Sequence, residues 1–289
     1  MRIAVVSGRT KIIDGQSAVD IANASSGQFG PHPRTVYDNW SEFREWASVA
    51  DLPTGEPFVA QTADAPSPEP RQVFAIGLNY LAHQVEAGFP RPTEPMVFTK
   101  FASSICGPVG DLTLFTDDGL GSRNGHRHRH QGVPGARTRR LVLRSGCDRR
   151  AGLLRPQCAD ETGRHAAVQP LGKFFPGFTP MGPVLVTPDE IDNCDDIAVR
   201  CVVNGQVVQD SSTADLIFPV EELIAYLSTV LPLLPGDVIL TGTPSGVGLG
   251  VTPPVYLRPG DHIVTAVADQ SLQYTAIART NHLNKEHQP

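Results

Sequence analysis

The sequence lacks any long apolar run, which argues against a protein with membrane-spanning helices. No stretch of about 18 apolar residues occurs, so no transmembrane helix is predicted. The segment from Met1 to Ser7 lacks the long apolar stretch and cleavage site of a signal peptide. The five cysteines show no Cys-x-x-Cys spacing, which argues against a disulfide framework and a zinc site. We therefore expect a cytoplasmic protein that does not contact a membrane.

The length and charge of the chain narrow its class further. At 289 residues it can form one large domain, or one domain with a smaller one beside it. Its hydrophobic fraction of 40% is ordinary for a globular protein with a packed core. The net charge of −6 gives no reason to expect nucleic acid as a partner.

Turn-forming residues divide the chain into parts. Residues 1–60 are predicted to form a small N-terminal α/β domain, and the proline-rich polar stretch Gln61–Arg71 to be a linker. Residues 72–279 contain many short β-rich runs separated by Gly and Pro turns. This pattern favours a β-rich α+β domain over alternating βα units. Residues 280–289 are polar and are predicted to be a frayed tail.

Apolar spacing predicts individual elements in both parts. In the N-terminal part, an aromatic stripe at helical spacing predicts a helix that Ser41 caps, and its members are Trp40, Phe43 and Trp46. In the larger part, Asn204-Gly205 predicts a type I′ hairpin, and Val220–Leu231 predicts an amphipathic helix. The predicted strands there are Val73–Ile76, Met96–Phe98, Val184–Val186, Ile197–Val203, Gln206–Val208, Val238–Leu240 and His262–Val267.

The segment Ile76–Glu86 carries the clearest chemical signal. An apolar strand ends at Gly77, and the helix start that follows places His83 and Glu86 three residues apart. Residues at this spacing share a helix face, so an imidazole and a carboxylate can address one water or one substrate atom as an acid/base pair. Taken alone, the pattern is equally compatible with an ordinary helix start that has two surface side chains.

A series of motifs in fixed order resembles the fumarylacetoacetate hydrolase family. Together they cover about Val73–Asp118 and Leu171–Asp261, and the stretch between these two regions does not match. The motifs are Gly77-Leu-Asn-Tyr-x-x-His-x-x-Glu86, Pro95-Met-Val-Phe-Thr-Lys-Phe-Ala-Ser-Ser104, Gly107-Pro, Leu171-Gly-Lys-Phe-Phe-Pro-Gly-Phe178, Gly182-Pro, Val203-Asn-Gly205, Leu234-Pro-Gly-Asp237 and Leu240-Thr-Gly-Thr-Pro-Ser-Gly-Val-Gly-Leu-Gly250.

The resemblance implies a fold and a reaction class. It implies the family's mixed β-roll catalytic fold and a homodimer. The implied reaction is hydrolysis of a C–C bond in a 2,4-dioxo acid such as an acylpyruvate. The implied cofactor is Mg²⁺ or Mn²⁺, which chelates a 2-oxo acid and stabilises its enolate. Isomerisation, hydration or decarboxylation of 2-oxo dicarboxylic acids from aromatic catabolism needs the same site and is an open alternative.

The resemblance also implies roles for individual residues. His83 and Glu86 would handle a proton or activate a water, and Lys173 would face the developing oxyanion. In the glycine-rich turn after the strand Val238–Leu240, the Thr243 hydroxyl and backbone N–H groups could hold a carboxylate. Asn79 could seat substrate or simply shape the turn. The residues expected to bind substrate are Tyr80, Lys100, Ser104 and Thr243.

The segment Gly119–Gln169 departs from the rest of the chain in composition. It carries 11 Arg against 3 acidic residues and contains no Ile, Phe, Tyr, Trp, Met or Lys. Its charge of +8 leaves −14 for the remainder. One interpretation is a basic insertion that binds metal or nucleic acid, although it has no aromatic residue on which bases could stack.

A shifted reading frame is the second interpretation, and it explains more. Read one nucleotide later, the alternation His126-Arg-His-Arg-His130 can become an Ile/Val strand. The same shift allows Gly119–Arg129 to read as a strand with Glu-x-Glu, and Arg150–Arg155 to contain Gln-Asp-x-Ser. In the family these two stretches supply the metal carboxylates. In the printed frame no metal ligand can be assigned, so we expect little catalysis, and a non-catalytic binder of small acids is a further alternative.

Overall fold

The computed structural model describes residues 1–114, 175–248 and 250–278, together with the backbone of four short strands between 129 and 152. The helices are α1 Ile21–Ala24, α2 Pro33–Asp38, α3 Trp40–Val49, α4 Leu81–Glu86 and α5 Val220–Ser228. Short 3-10 turns lie at Ala60–Thr62, Ala102–Ser104, Pro188–Glu190 and Thr213–Asp215.

Twenty strands carry most of the backbone pairing among the described residues. In chain order they are β1 Arg2–Val6, β2 Arg9–Asp14, β3 Ser17–Asp20, β4 Glu56–Pro57, β5 Ala63–Asp64, β6 Val73–Gly77, β7 Met96–Thr99, β8 Ile105–Cys106, β9 Val109–Leu114, β10 Arg129–His130, β11 Gly135–Thr138, β12 Leu141–Leu143, β13 Ala151–Gly152, β14 Thr179–Pro180, β15 Leu185–Val186, β16 Ala198–Val203, β17 Gln206–Ser212, β18 Val238–Gly242, β19 His262–Val267 and β20 Gln270–Ala278.

Two mixed sheets organise these strands. The larger has eleven strands in the order β4-β3-β2-β1-β15-β12-β11-β18-β6-β7, with β5 beside β1. Its pairs are antiparallel except β18 with β6, which run parallel. The second sheet has the order β17-β16-β19-β20-β9 and is antiparallel except for β20 with β9. Two short pairs, β14 with β8 and β10 with β13, lie outside both sheets.

The centre of the larger sheet is buried on both faces. The first four residues of β6 are all buried, as expected for a strand that lies between neighbours and under cover on both sides. Since side chains alternate along a strand, β6 contributes to two different cores. One core contains Val73, Ala75, Val238 and Leu240, and the other contains Phe74, Ile76, Leu223, Leu227 and Ile239. Helix α5 therefore covers one face of the parallel pair.

The second sheet confirms the hairpin prediction. β16 and β17 pair antiparallel, and Val203 faces Gln206 at the turn. Asn204 and Gly205 both have positive φ, 51° and 79°, as a type I′ turn requires. β19 has the predicted bounds and alternates between exposed and buried residues, which is typical of a strand with one solvated face.

The aromatic stripe near the N-terminus forms a core, but its predicted cap is wrong. Phe29 and Phe43 meet edge to face at 5.4 Å between ring centroids, and Trp40 and Phe43 are buried. Helix α3 already begins at Trp40, so Asn39 occupies the cap position and Ser41 lies inside the first turn. The Asn39 side chain donates instead to the carbonyl of Thr35.

The stretch Gln61–Arg71 is packed against the rest of the chain. Its residues Ala63 and Asp64 form β5 and pair with β1. Ser67 Oγ donates to the carbonyl of Gly236 at 2.7 Å, just before β18 begins. Because β1 to β5 also belong to the larger sheet, a separate N-terminal domain is not confirmed, and the division at this stretch stays a prediction.

The mixed sheets and few helices agree with the predicted β-rich α+β class. Most of the Gly119–Gln169 segment and all of the 280–289 tail fall outside the described residues. Within the described ranges, no helix combines the length and the apolarity that a membrane crossing requires.

Asp237 ties the two parallel strands together and offers a test of this packing. The buried carboxylate accepts from the Gln72 backbone N–H at 3.0 Å, the Gln72 side chain at 2.7 Å and the Leu234 N–H at 2.8 Å. We expect Asp237→Ala to lower the free energy of unfolding by about 3 kcal/mol, because three hydrogen bonds to a buried charged acceptor are lost. Urea unfolding measures this loss.

A matched control lies on an exposed strand position. Asp210 is exposed, and its nearest ion-pair partner, Arg200, is 4.0 Å away. We expect Asp210→Ala to change the free energy of unfolding by less than about 1 kcal/mol. Equal losses in the two variants would contradict a special role for Asp237.

Candidate acid–base site

The candidate site forms where β6 and β18 end. The two strands are parallel neighbours with Leu240 beside Ala75, so their carboxyl ends lie at the same edge of the sheet. β6 leads through a short turn into α4, which carries the predicted acid/base pair. β18 leads into the glycine-rich loop, which we define as residues 241–250. Helix and loop therefore start side by side although about 160 residues separate them in sequence.

His83 and Glu86 contact each other directly. His83 Nδ1 lies 3.1 Å from Glu86 Oε2, and the exposed fractions of the two side chains are only 15% and 16%. The predicted spacing on one helix face is thus a hydrogen-bonded pair in a largely enclosed position. A solvated helix surface, the alternative that the sequence left open, does not describe these two side chains.

The glycine-rich loop holds the other oxygen of Glu86. The Gly246 backbone N–H donates to Glu86 Oε1 at 2.9 Å. A Cβ atom at Gly246 would lie 1.8 Å from the carbonyl oxygen of Val208, and one at Gly250 would lie 2.6 Å from the carboxylate carbon of Glu86. Only residues without a side chain let the loop fit between β17 and the carboxylate, so the glycines serve close approach.

The surroundings of Glu86 favour its ionised form. Burial raises the pKa of this carboxyl, but the His83 hydrogen bond and the N–H groups of Gly246 and Val247 outweigh it and hold the pKa below its usual value. The physical cause is that hydrogen bonds donated to a carboxylate stabilise the charged form. Glu86 is therefore an anion at neutral pH.

The carboxylate fixes the tautomer of His83. An ionised carboxylate can only accept hydrogen bonds, so the Nδ1 atom that faces Glu86 must carry a hydrogen. In the neutral imidazole this leaves Nε2 with its lone pair. The pair is therefore arranged so that Nε2 can take a proton while Glu86 stabilises the imidazolium that results.

Asn79 has a structural role in this arrangement. The residue is fully buried, and its amide donates to the carbonyls of Thr241 at 2.7 Å and Phe218 at 3.1 Å. Its Oδ1 atom accepts from the Phe218 N–H at 2.8 Å. Of the two roles that the sequence left open, these contacts favour the turn-shaping one, because they bind the start of α4 to the end of β18.

Two further predicted substrate residues are buried in a neighbouring cluster. Lys100 Nζ donates to the carbonyl of Phe178 at 3.0 Å. Ser104 Oγ donates to the carbonyl of Phe101 at 2.8 Å and lies 2.7 Å from the Thr179 hydroxyl. The contacts of both residues are with protein groups, and their role towards substrate stays a prediction.

The remaining residues predicted to contact substrate are Tyr80, Thr243 and Lys173. Tyr80 is buried, directly precedes α4 and bridges to Leu216. Thr243 lies in the glycine-rich loop, three residues before Gly246, and accepts a hydrogen bond from Gln209. Sequence reasoning missed Gln209, since a glutamine in an exposed-looking strand carries no signal. Lys173 lies outside the described residues.

The described residues do not provide a metal site. Among residues 1–114, 175–248 and 250–278, no group of three or more His, Cys, Asp or Glu side chains is close enough to hold an ion. Both oxygens of Glu86 already accept hydrogen bonds. Ligands for the Mg²⁺ or Mn²⁺ that the resemblance implies would have to come from elsewhere in the chain.

Fold and site together define a β-rich α+β protein equipped for acid–base chemistry. The profile described as "Fumarylacetoacetate (FAA) hydrolase C-terminal" matches residues 159–277. The match begins inside the segment 119–169, so the expectation that all of this segment fails to match the family is wrong for its last eleven residues. Human mitochondrial oxaloacetate tautomerase FAHD2B is 36% identical over 228 residues, which cover 75% of this chain and 69% of that protein. The chain therefore belongs to the fumarylacetoacetate hydrolase family, a family of enzymes.

A bacterial relative shares more of its length with this chain. The 2,4-didehydro-3-deoxy-L-rhamnonate hydrolase of Sphingomonas sp. (strain SKA58) is 35% identical over 247 residues, covering 83% of this chain and 84% of that one. By contrast, matches to the oxaloacetate tautomerases cover about two thirds of those proteins, 64% for the human FAHD2A enzyme.

Solved structures share the fold. A candidate HpcE protein from Mycobacterium smegmatis is 35% identical, with a TM-score of 0.79 and coverage of 97% of this chain and 100% of that chain. Maleylpyruvate hydrolase from Sphingobium sp. SYK-6, solved with manganese(II) and pyruvate, is 22% identical with a TM-score of 0.68, and the match covers 97% of this chain and 100% of that chain. At this identity the second likeness concerns the fold alone.

The close approach at Gly246 can be tested by adding one methyl group. Gly246 has a φ of +96° and no room for a Cβ atom, whereas Gly260 has a φ of +94° and nothing within 4 Å. We expect Gly260→Ala to cost about 1 kcal/mol of stability for backbone strain alone. We expect Gly246→Ala to cost about 3 kcal/mol, because overpacking is added to the strain. Urea unfolding of both variants measures the difference, and equal costs would contradict the contact.

The Glu86 contacts predict a pH dependence of stability. Because the folded pKa lies below the usual value of 4.5, the stabilisation is fully present above that pH and is lost as the pH falls through the folded pKa. We expect the gap in unfolding free energy between wild type and Glu86→Gln to be largest at neutral pH and to shrink in acid. Unfolding titrations from neutral to about pH 3.5 measure the gap.

A control for this titration is available on the surface. Glu42 is exposed on α3, so Glu42→Gln should leave a smaller gap that is nearly independent of pH. A gap for Glu86→Gln that stayed constant down to the lowest pH would contradict the predicted ionised contact.

Proposed function

We propose that the site is the general-base centre of a hydrolase that cleaves C–C bonds in 2,4-dioxo acids such as acylpyruvates. The observation that carries this proposal is the Glu86 carboxylate, which accepts from His83 through one oxygen and from Gly246 through the other. An orienting carboxylate, an imidazole held in one tautomer and an enclosed position are what a general base needs. The Sphingomonas relative, which is named a hydrolase, supports this reaction class.

The residues support a balanced sequence of steps. His83 Nε2 takes a proton from a water molecule as the water oxygen attacks the C4 carbonyl carbon of the substrate. The tetrahedral adduct collapses, the C3–C4 bond breaks, and its electron pair passes into the enolate of the 2-oxo acid. The imidazolium then returns its proton to C3. The products are a carboxylic acid and a 2-oxo acid, and Glu86 stabilises the imidazolium throughout.

The glycine-rich loop is suited to the substrate carboxylate. Its hydroxyl at Thr243 and its backbone N–H groups offer donors to an anion, and the loop is anchored to the general base through Gly246. The Sphingomonas relative supports this substrate class, since the name of its substrate places oxidised carbons at positions 2 and 4. Tyr80, Lys100, Ser104 and Lys173 complete the predicted substrate and oxyanion contacts.

A second candidate is tautomerisation or isomerisation of a 2-oxo dicarboxylic acid. The observation that favours it is the similarity to oxaloacetate tautomerases. The same His83 Nε2 atom can move a proton between carbon and oxygen without any attack by water. Product analysis separates the two candidates, because only hydrolysis yields two acids.

The segment Gly119–Gln169 decides how active the printed chain is. The described residues provide no metal site, and we propose that the ligands for Mg²⁺ or Mn²⁺ are encoded in this segment in a shifted frame. In the printed frame the chain is then a weak enzyme or a binder of small acids. The homodimer and the cytoplasmic location remain predictions from the sequence.

Restoring the frame tests the proposal. We expect the printed chain to show little turnover of an acylpyruvate with Mg²⁺. A gene with one nucleotide removed at the start of the segment and one added at its end should encode an active enzyme. In the restored enzyme, His83→Asn should lower kcat by about 10²–10⁴-fold, the usual contribution of a general base. Product formation measured by chromatography gives both rates.

His262 provides the control for the active-site substitution. It is exposed on β19, so His262→Asn should leave kcat within about twofold. Robust turnover by the printed chain would refute the shifted frame. An undiminished kcat in His83→Asn would refute the role of the base.

A further inference from the structure

The side chain of Gln209 connects the two sheets at the glycine-rich loop. Gln209 lies on β17 of the five-stranded sheet, and only 2% of it is exposed. Its Nε2 atom donates to Thr243 Oγ1 at 3.0 Å and to the carbonyl of Pro244 at 2.9 Å. The buried Gln209 amide of the five-stranded sheet is therefore hydrogen-bonded to the loop that follows β18 of the larger sheet.

The neighbouring groups fix the orientation of the amide. The Pro244 carbonyl can only accept a hydrogen bond, so the Gln209 atom that faces it must be the nitrogen. The same nitrogen faces Thr243 Oγ1. Because an amide nitrogen only donates, the Thr243 hydroxyl is forced to accept at this contact.

This polarity leaves the Thr243 hydrogen for another acceptor. The hydroxyl has one further contact, with the Pro244 carbonyl at 3.5 Å, which is at the limit of a hydrogen bond. That carbonyl also accepts from Gln209 at 2.9 Å, and at 3.5 Å its second lone pair holds the hydroxyl hydrogen only weakly. The hydroxyl hydrogen is therefore the part of Thr243 that a ligand can use.

We propose that Gln209 is a positioning residue that makes Thr243 a hydrogen-bond donor to the carboxylate of the substrate. This inference rests on the proposed function, in which the loop receives that carboxylate. A carboxylate accepts hydrogen bonds and cannot donate them. An acceptor at position 209 would turn the hydroxyl inward and present its lone pairs to the anion. Gln209 thus acts on the ligand through Thr243 and not by contact.

A double-mutant cycle tests the proposal with pyruvate as the probe. Gln209→Met keeps a similar volume but removes the donor, and Thr243→Val removes the hydroxyl. We expect each single change to raise the Kd for pyruvate about tenfold, as for one hydrogen bond to a charged group. In the double variant we expect the total rise in Kd over wild type to stay at about tenfold and not to reach a hundredfold, because the two residues act in series.

Calorimetric titration with pyruvate, in whichever of the printed and frame-restored full chains binds it, provides the four dissociation constants. Gln206 is exposed on the same strand, and Gln206→Met is the matched control, for which no change is expected. Thr243→Ser should bind like wild type, because it keeps the hydroxyl. If Gln209→Met does not fold, Gln209→Glu takes its place, and the reversed polarity should weaken binding at least as much.

The outcomes separate this inference from the proposed function. A sub-additive cycle supports the positioning role. Additive effects, or an unchanged Kd in Gln209→Met, overturn it while the proposed function stands. If neither the printed chain nor the frame-restored chain binds pyruvate, the proposed function fails and the inference fails with it.

Discussion

The hydrogen bond from the Gly246 N–H to Glu86 joins the two halves of the site. At 2.9 Å it has the usual length of an N–H···O bond, and it joins the loop that follows β18 to the helix that follows β6. The tautomer of His83 depends on it, because the carboxylate stays ionised when N–H groups solvate it in place of water. The loop is matched to this contact as well, since a Cβ atom at Gly250 would meet the Glu86 side chain and one at Gly246 would meet the Val208 carbonyl. Electrostatics and close packing thus impose one geometry.

Much of this arrangement could be predicted from local sequence patterns. Residues that are close in sequence carried the signal, as in the His83–Glu86 spacing, the Asn204-Gly205 turn and the alternation along β19. The pairing of β1 with β15 and the reach of Gln209 were missed, because they join segments that are far apart in sequence. The N-cap of α3 was misplaced by two residues, because Asn39 and Ser41 are both favourable cap residues and propensity does not separate them.

Charge distribution sets the anomalous segment apart from the site. The residues outside Gly119–Gln169 carry a net charge of −14 and those within carry +8, yet the loop receives an anion in the proposed reaction. Its donors are neutral: a hydroxyl, backbone N–H groups and the amide of Gln209 behind them. Neutral donors hold a carboxylate at a smaller desolvation cost than a buried cation would incur, which suits a site built into a sheet edge.

The described contacts that assemble the acid–base pair and its supports come from four stretches of chain, around residues 79–86, 208–209, 218 and 241–250. None of these stretches overlaps the anomalous segment. A change of frame confined to that segment therefore leaves the codons of the pair and its supports untouched. On the proposed shifted frame, a loss of activity would be reversible in the genetic sense: two compensating nucleotide changes would restore the segment, and selection would not need to rebuild the rest.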